Sequence, residues 1–236
     1  MSDGPVVLAL EFYAVRKTAD FGFLREPEHA DRLLRLDPLD DHVAEGLSVD
    51  RHSRLLLSRS HVPPSLVLAY CGTAALAAHT AARCGAALVL VDPDVVDAEI
   101  MHRDFLQLCA TMNVDPATVD GTGRLARWEA VLTAARDRVA TEYGGDEEAY
   151  EMVDDLFARY RAWAWFLEAA RDPVPADPDG EITVISGRPP RNLGALLARP
   201  ARATFHQAAP DADTLSLPDV RDLVRRLFHQ AAGAGR

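Results

Sequence analysis

Cysteine is scarce in this chain, and long apolar runs are missing from it. Three cysteines stand among 236 residues, an odd number that excludes a fully paired disulfide framework and fits a reducing compartment. No uninterrupted apolar stretch approaches the roughly 20 residues of a membrane-spanning helix. The opening MSDGP has neither the basic region nor the cleavage site of a secretory signal. These absences predict a cytoplasmic protein with at least one free thiol.

Positive charge is also in deficit. The chain has 36 acidic and 25 basic residues, for a net charge of -11. A phosphate backbone would repel such a chain unless its basic residues were concentrated in one patch, so nucleic acid is not an expected partner. What is present is ordinary, with 48% hydrophobic and 26% charged residues. The length and composition predict one large globular domain, or one domain with a sizeable insertion.

Short apolar runs and their spacing predict an α/β fold. The runs at residues 65–70 and 86–91 are continuous rather than alternating, which is typical of parallel strands covered on both faces. They flank an alanine-rich helix at residues 74–83 that ends at Gly85, so the three elements form a βαβ unit. Further strands are expected at residues 6–15, 32–36, 182–186 and 201–206.

Helical patterning fills the middle of the chain. Residues 95–171 carry almost no strand signal, and Pro116 and the pair Gly144-Gly145 divide them into helices. Other helices are expected at residues 40–60, 191–198 and 218–229. The predicted organisation is a core in two parts, residues 1–94 and 173–236, with a helical lid insertion at residues 95–172. The sheet is expected to be mostly parallel, with helices on both faces.

Cys71 stands where the strand at residues 65–70 turns into the following helix. In α/β-hydrolases the nucleophile occupies such a junction, within the pattern G-x-S-x-G. The turn lifts the side chain above the sheet and points the next backbone N–H at the developing oxyanion. Here Ala69 and Thr73 replace the glycines and Cys71 replaces the serine. The alternative for Cys71 is a small buried hydrophobe, the role also expected of Cys84 and Cys109.

The elbow AYCGTAALA and the strand end LVLVDPD resemble the thioesterase domains of polyketide and nonribosomal peptide assembly lines. The likeness extends over most of the chain: an entry strand, the elbow, a helical lid and a strand-helix-strand-helix finish. In several of these thioesterases the triad acid ends the strand after the elbow, a place that Asp92 holds here. Asp92 is therefore the implied acid, with Asp94 as the weaker competitor and turn capping as the structural alternative for Asp92.

A cysteine nucleophile resembles one branch in particular, the actinobacterial Dieckmann cyclases that release tetramates or pyridones with a Cys-Asp-His triad. The resemblance implies no cofactor and no metal, and a partner that is an acyl or peptidyl carrier protein or another assembly-line thioester. Gly72 would supply one oxyanion N–H, and the loop around Tyr13 and Ala14 the second. Aromatic residues of the last lid helix would form an apolar ceiling over the substrate, unless they only pack the lid together: Tyr160, Trp163 and Trp165.

The resemblance also implies a histidine base in the loop between the last strand and the C-terminal helix. Counting forward from the strand places it within a few residues of His206, the implied base. Counting back from the helix places it near Asp213, which is not a histidine. Four other histidines are expected to be solvated or on helix surfaces: His29, His42, His52 and His79.

Three functions remain open at this point. The first is release of a carrier-bound chain by Dieckmann-type carbon–carbon cyclisation. Cysteine favours it, because a Cys-bound acyl group is a thioester with a good leaving group that a carbanion can attack. The second is a hydrolytic editing or releasing thioesterase. The third is a non-catalytic α/β-hydrolase-like protein of a biosynthetic cluster.

Overall fold

The computed structural model describes residues 6–12, 20–40, 48–171, 173–190, 192–210 and 212–233, apart from the side chains of residues 149, 152, 155 and 156. The chain divides into two compact units. The first comprises Met1–Pro38, Ser48–Val95 and Asp172–Arg236, and the second comprises Leu39–Leu47 and Val96–Arg171. Among the described residues, no helix combines the length and the apolarity needed to cross a membrane.

The first unit is built on a six-stranded sheet. Its strands are β1 (Val6–Leu10), β2 (Leu33–Leu36), β3 (Pro64–Tyr70), β4 (Ala87–Val91), β5 (Ile182–Ser186) and β6 (Ala203–Gln207). They lie in the order β2-β1-β3-β4-β5-β6, and every neighbouring pair is parallel. The predicted fold class is confirmed.

Helices cover both faces of this sheet. After α1 (Val49–Ser58), α2 (Ala74–Cys84) packs on β3 and β4, and five of its six alanines are buried. Gly85 ends α2 in the left-handed conformation at φ +69°, which glycine adopts without strain. On the other face the apolar stripe of the C-terminal helix joins the core formed by β1, β3 and β4. The continuous apolar runs of β3 and β4 follow from this double coverage.

The lengths of several elements of this unit differ from those expected from the sequence. The strand expected at residues 6–15 ends at Leu10. The next residue, Glu11, accepts a hydrogen bond from the Phe21 N–H at 2.8 Å through its carboxylate. The helix expected at residues 191–198 is the single turn α6 (Leu193–Leu196). It stops there because the next residue, Leu197, is extended and bridges to Ala176. The last helix, α7 (Pro218–Gly233), is longer than expected.

The second unit is helical, with α3 (Ala98–Thr111), α4 (Arg124–Glu142) and α5 (Glu147–Ala170). Pro116 begins a short 3-10 turn after α3. Gly144 and Gly145 separate α4 from α5 with φ of +122° and +70°, so the predicted breakpoints are confirmed. Phe105 and Trp128 pack together in its core, with their ring centroids 5.9 Å apart. The function of this unit as a lid stays a prediction.

His52 is buried within α1 rather than exposed on its surface, so that expectation is wrong. His52 is only 3% exposed to solvent. Burial, and then the positive charge of Arg59, lower the pKa of His52 to about 4. Because the folded-state pKa lies below the ordinary value of 6.5, the unfolded chain binds more protons between the two values. The stabilising contribution of neutral His52 is therefore fully present above pH 6.5, and it is lost as the pH falls from 6.5 towards the folded-state pKa of about 4.

As the pH is lowered from about 7.5 to about 5, we expect the titration of His52 alone to lower the free energy of unfolding by about 2 kcal/mol. Urea unfolding of the wild type and of His52→Gln at both pH values measures this, because the variant has no imidazole to protonate. The comparison uses the difference between the two pH values, so any baseline cost of the substitution cancels. The same pH dependence in both proteins would contradict the prediction.

Candidate active site

Cys71 follows β3 directly, in a strained backbone conformation. Its φ is +56°, in the left-handed region where a side chain costs roughly 1–2 kcal/mol. Cys71 opens a 3-10 turn, Cys71–Thr73, that runs straight into α2. The residue is half-buried. The strand–turn–helix junction expected from the sequence is present, with Cys71 at its apex.

Thr73 holds this turn in place. The residue is fully buried, and its Oγ1 accepts a hydrogen bond from the Tyr70 N–H at 3.2 Å. The same hydroxyl lies within donating distance of the carbonyl oxygens of Leu10, at 3.1 Å, and Tyr70, at 2.9 Å. On the other side of the turn, the Asp94 N–H donates to the Cys71 carbonyl at 3.2 Å. A threonine at the expected glycine position thus ties the elbow to the end of β1.

The elbow lies where the topology of the sheet reverses. From β1 the chain moves outwards to β2, whereas from β3 it moves the other way to β4. In open α/β sheets the carboxyl ends of strands at such a point frame a crevice that binds ligands. Phe12 lies beside the elbow, since a methyl group added at Gly72 would be 3.7 Å from its ring. Tyr13 and Ala14, the expected second oxyanion donors, lie outside the described residues.

Asp92 is next to Cys71 across the sheet. Tyr70 pairs with Val91 in the β3–β4 register, so Cys71 and Asp92 follow equivalent positions of neighbouring strands. Asp92 also has a left-handed backbone, with φ +42°. Its Oδ1 accepts a hydrogen bond from the Gly187 N–H at 3.3 Å, which orients the carboxylate from the end of β5. The structure therefore brings two predicted site residues to one place, while the role of Asp92 as triad acid stays a prediction.

His206 occupies a different place. It lies within the edge strand β6, is exposed, and pairs with Ile185. Because β4 and β5 stand between β6 and β3, strand spacing alone separates His206 from the Cys71 strand by roughly 14 Å. Within the part of the chain that is described, no hydrogen bond or ion pair joins His206 to Cys71 or Asp92. Its role as the base stays a prediction.

The loop from β6 to α7 returns towards β3. It passes close over the end of β5, where a Cβ on Gly187 would lie 2.8 Å from the Ala209 carbonyl oxygen. Further along, Asp213 Oδ1 accepts a long hydrogen bond of 3.4 Å from the Tyr70 hydroxyl. Asp213 thus reaches the residue before Cys71. The count back from the C-terminal helix reached this position only as the expected place of a histidine, and the sequence predicted no contact between Asp213 and Tyr70.

The Tyr70 hydroxyl is affected by burial and by three neighbouring acidic groups. Burial raises its pKa well above the ordinary value of 10.0, and the charges of Asp213, Cys71 and Asp92 raise it further, in that order. The phenol is therefore protonated throughout the physiological range and donates to Asp213. Asp213 contacts the Tyr70 hydroxyl from the β6–α7 loop, while Cys71 and Asp92 follow the ends of β3 and β4.

The three aromatic residues expected to line the substrate site lie on α5, in the second unit. Tyr160, Trp163 and Trp165 are each half-buried. Trp163 stacks on Phe166 with ring centroids 6.0 Å apart, and Tyr160 lies 6.3 Å from Phe157. Packing within the unit accounts for part of their surface, and their contact with a substrate stays a prediction.

The other two thiols are in packing environments. Cys84 lies 3.2 Å from the Thr80 carbonyl oxygen, towards which its S–H points, and Cys109 is buried. Burial raises the pKa of both thiols. In the described residues, no group of three or more His, Cys, Asp or Glu side chains is arranged to hold a metal ion.

Comparison with solved structures identifies the fold. A protein from Desulfitobacterium hafniense, described as an α/β hydrolase family protein, is 16% identical, with a TM-score of 0.53 over 97% of this chain and 96% of its own. The bottromycin epimerase BotH, solved in complex with bottromycin A2, is 17% identical, with a TM-score of 0.53 over 98% of this chain and 93% of its own. No family model and no curated protein matches the sequence. The chain has the α/β-hydrolase fold.

Proposed function

We propose that the protein is an acyl-transferring enzyme with Cys71 as its nucleophile. It takes a chain from a carrier-bound thioester and releases it by Dieckmann-type carbon–carbon cyclisation, as a tetramate- or pyridone-like ring. The observation that carries the proposal is the left-handed backbone of Cys71 at the strand–turn–helix junction. Strain of this kind persists only when the surroundings hold it, as Thr73 and Asp94 do here.

The first step forms an acyl-enzyme. The Cys71 thiolate attacks the thioester carbonyl, and the carrier leaves as its thiolate, which takes up the proton lost by Cys71. The Gly72 N–H, next after the nucleophile, donates to the oxyanion of the tetrahedral intermediate. The family resemblance implies His206 as the base for the thiol proton, with Asp92 as its orienting acid. Strand spacing separates His206 from the Cys71 strand by roughly 14 Å, so of these two residues only Asp92 lies beside Cys71.

The second step distinguishes cyclisation from hydrolysis. A Cys71 thioester is open to attack by water, which gives an acid, or by a carbanion of the substrate, which gives a ring. BotH is an epimerase, and the α/β-hydrolase fold can host chemistry other than hydrolysis. That likeness is compatible with carbon chemistry at this site. A releasing or editing thioesterase is the alternative reading of the same acyl-enzyme.

Alkylation kinetics test the nucleophile. Iodoacetamide followed by peptide mapping should label Cys71 at least about 10-fold faster than Cys84 or Cys109, because buried thiols with raised pKa values are poorly reactive. Cys71→Ser is the matched control and should remove only the fast phase. Labelling of Cys71 at or below the rate of the other two thiols would exclude it as an activated nucleophile.

Product analysis tests the reaction type. A β-ketoacyl-aminoacyl thioester carried on pantetheine is offered to the wild type, and the products are identified by mass spectrometry. A cyclic 1,3-dicarbonyl supports the cyclase. Free acid alone would replace the cyclase with the thioesterase alternative, and an unchanged substrate without a Cys71 adduct would favour a non-catalytic protein.

A further inference from the structure

We infer that Asp213 is the base that removes the carbon-bound proton in ring closure, with the Tyr70 hydroxyl as the group that positions its carboxylate. The inference rests on the proposed function, because it concerns the second half of that reaction. It assigns a catalytic role to a residue of the β6–α7 loop.

The path of the loop is the first argument. Ala208 N–H still donates to the Ser186 carbonyl at 3.0 Å, so the chain leaves the sheet beside β5. Gly187 then allows the loop backbone to pass closely over the end of β5. By Asp213 the loop has reached the Tyr70 hydroxyl, on the strand that carries Cys71. The loop thus carries Asp213, and not His206, across two strands towards the elbow.

The anchoring of the loop is the second argument. Asp213 begins a 3-10 turn, Thr214–Ser216, and its carbonyl accepts hydrogen bonds from the Ser216 N–H at 2.9 Å and the Ser216 hydroxyl at 2.6 Å. Leu215 is buried in the core with α7. The backbone on the C-terminal side of Asp213 is therefore held in place. Its exposed carboxylate is directed by the Tyr70 hydroxyl.

The chemistry of the groups is the third argument. A carboxylate can act as the base towards a carbon flanked by carbonyl groups, because the proton it removes is acidic. The Tyr70 hydroxyl donates a hydrogen bond to Asp213, and it can do so only while the phenol is protonated. Cys71 and Asp92 are the other titratable groups that act on Tyr70. An acidic neighbourhood of this kind suits a substrate that is neutral or positively charged near the reacting carbon.

The step balances without another reactant. Asp213 takes the proton from the carbon between the two carbonyl groups, and the C–H electron pair becomes an enolate. The enolate carbon forms a bond to the carbonyl carbon of the Cys71 thioester, and the C–S bond breaks. The Cys71 thiolate leaves and recovers the proton from Asp213. Both residues return to their initial states, and the product is the ring.

The test separates acylation from ring closure in Asp213→Asn. Intact-mass kinetics with the β-ketoacyl-aminoacyl pantetheine thioester should show Cys71 acylation within about 2-fold of the wild type. Ring formation should fall by about 100-fold or more, the usual effect of losing a general base, so the acyl-enzyme accumulates. Tyr70→Phe, which keeps the ring and removes the contact, should slow ring closure by about 10-fold.

Two further variants serve as controls. Thr214→Val changes the neighbouring residue, whose buried hydroxyl has no hydrogen-bond partner in the described part of the chain, and should leave both steps unchanged. Asp213→His retains a base of another kind. The acid limb of its pH–rate profile for ring closure should move to higher pH, because an imidazole loses its proton at a higher pH than a carboxyl group does. A purely structural role for Asp213 would not produce this shift.

The outcomes are distinguishable. Normal ring closure in Asp213→Asn, or an unmoved pH profile in Asp213→His, overturns the inference and leaves the acyl-enzyme proposal standing. A loss of ring closure in His206→Ala, with Asp213→Asn unaffected, assigns the base to His206 instead. If the wild type forms no Cys71 adduct, the proposed function and the inference fail together.

Discussion

Replacement of Cys71 by alanine is expected to stop release of a carrier-bound chain, with a fall in rate of about 1,000-fold or more. The nucleophile is lost, and neither water nor a neighbouring side chain can form the same acyl intermediate. Cys71→Ser should retain slow hydrolysis and lose ring closure, because an oxyester has a poorer leaving group than a thioester. Single-turnover assays that follow both acid and ring measure the two effects.

Two further variants show whether a loss of activity comes from the missing thiol or from a less stable protein. Cys71→Gly removes the side chain from a left-handed position, at φ +56°, so it should be inactive and more stable by about 1 kcal/mol. Cys84→Ala, a thiol substitution away from the elbow, should retain the wild-type rate. Turnover by Cys71→Ala at more than a tenth of the wild-type rate would remove Cys71 from the mechanism.

Replacement of Gly180 by alanine is expected to lower the free energy of unfolding by more than about 3 kcal/mol. A Cβ at this position would lie within 2.8 Å of three backbone atoms: the carbonyl carbon and oxygen of Ala86 and the nitrogen of Ala87. Backbone atoms at the start of β4 cannot rotate away as the end of a side chain can. Either β4 or the connection into β5 must shift, which strains the centre of the parallel sheet.

Gly194→Ala is the matched control, because an added Cβ there meets nothing within 4 Å and the residue lies in the short helix α6. It should leave stability unchanged or raise it slightly. Urea unfolding followed by circular dichroism compares the two variants with the wild type. Equal stability of Gly180→Ala and Gly194→Ala would contradict the close approach of the two backbones.

Local patterns predicted the elements near the centre of the sheet well. The apolar runs of β3, β4 and β5 appear in the structure within one residue of their expected bounds, because strands buried on both faces leave a strong sequence signal. Gly85 and the pair Gly144-Gly145 end helices where the sequence indicates. Two other strands were predicted less well: β1 ends at Leu10 rather than at residue 15, and β6 covers Ala203–Gln207 rather than residues 201–206. The length of the short helix α6 depends on a tertiary contact, the bridge at Leu197.

The site shows the same division between local and long-range information. The residue pattern places Cys71 at a strand–turn–helix junction, since that junction is made of consecutive residues. It does not explain why threonine replaces glycine at residue 73. The structure gives the reason, because the Thr73 hydroxyl lies within hydrogen-bonding distance of the Leu10 carbonyl at the end of β1. Nor does the residue pattern predict the burial of His52, since the spacing of apolar and polar residues in α1 does not identify every residue of its buried face.

The sequence by itself determined the α/β class, the central βαβ unit and the position of one thiol at its turn, because neighbouring residues settle all three through hydrophobic pattern and turn chemistry. Only the tertiary structure decided which groups join that thiol. Tyr70 and Asp213 are 143 positions apart, and their contact depends on strand order, register and the path of a loop over the end of β5. Those features arise when the whole sheet assembles, so no local pattern in the sequence could predict this contact.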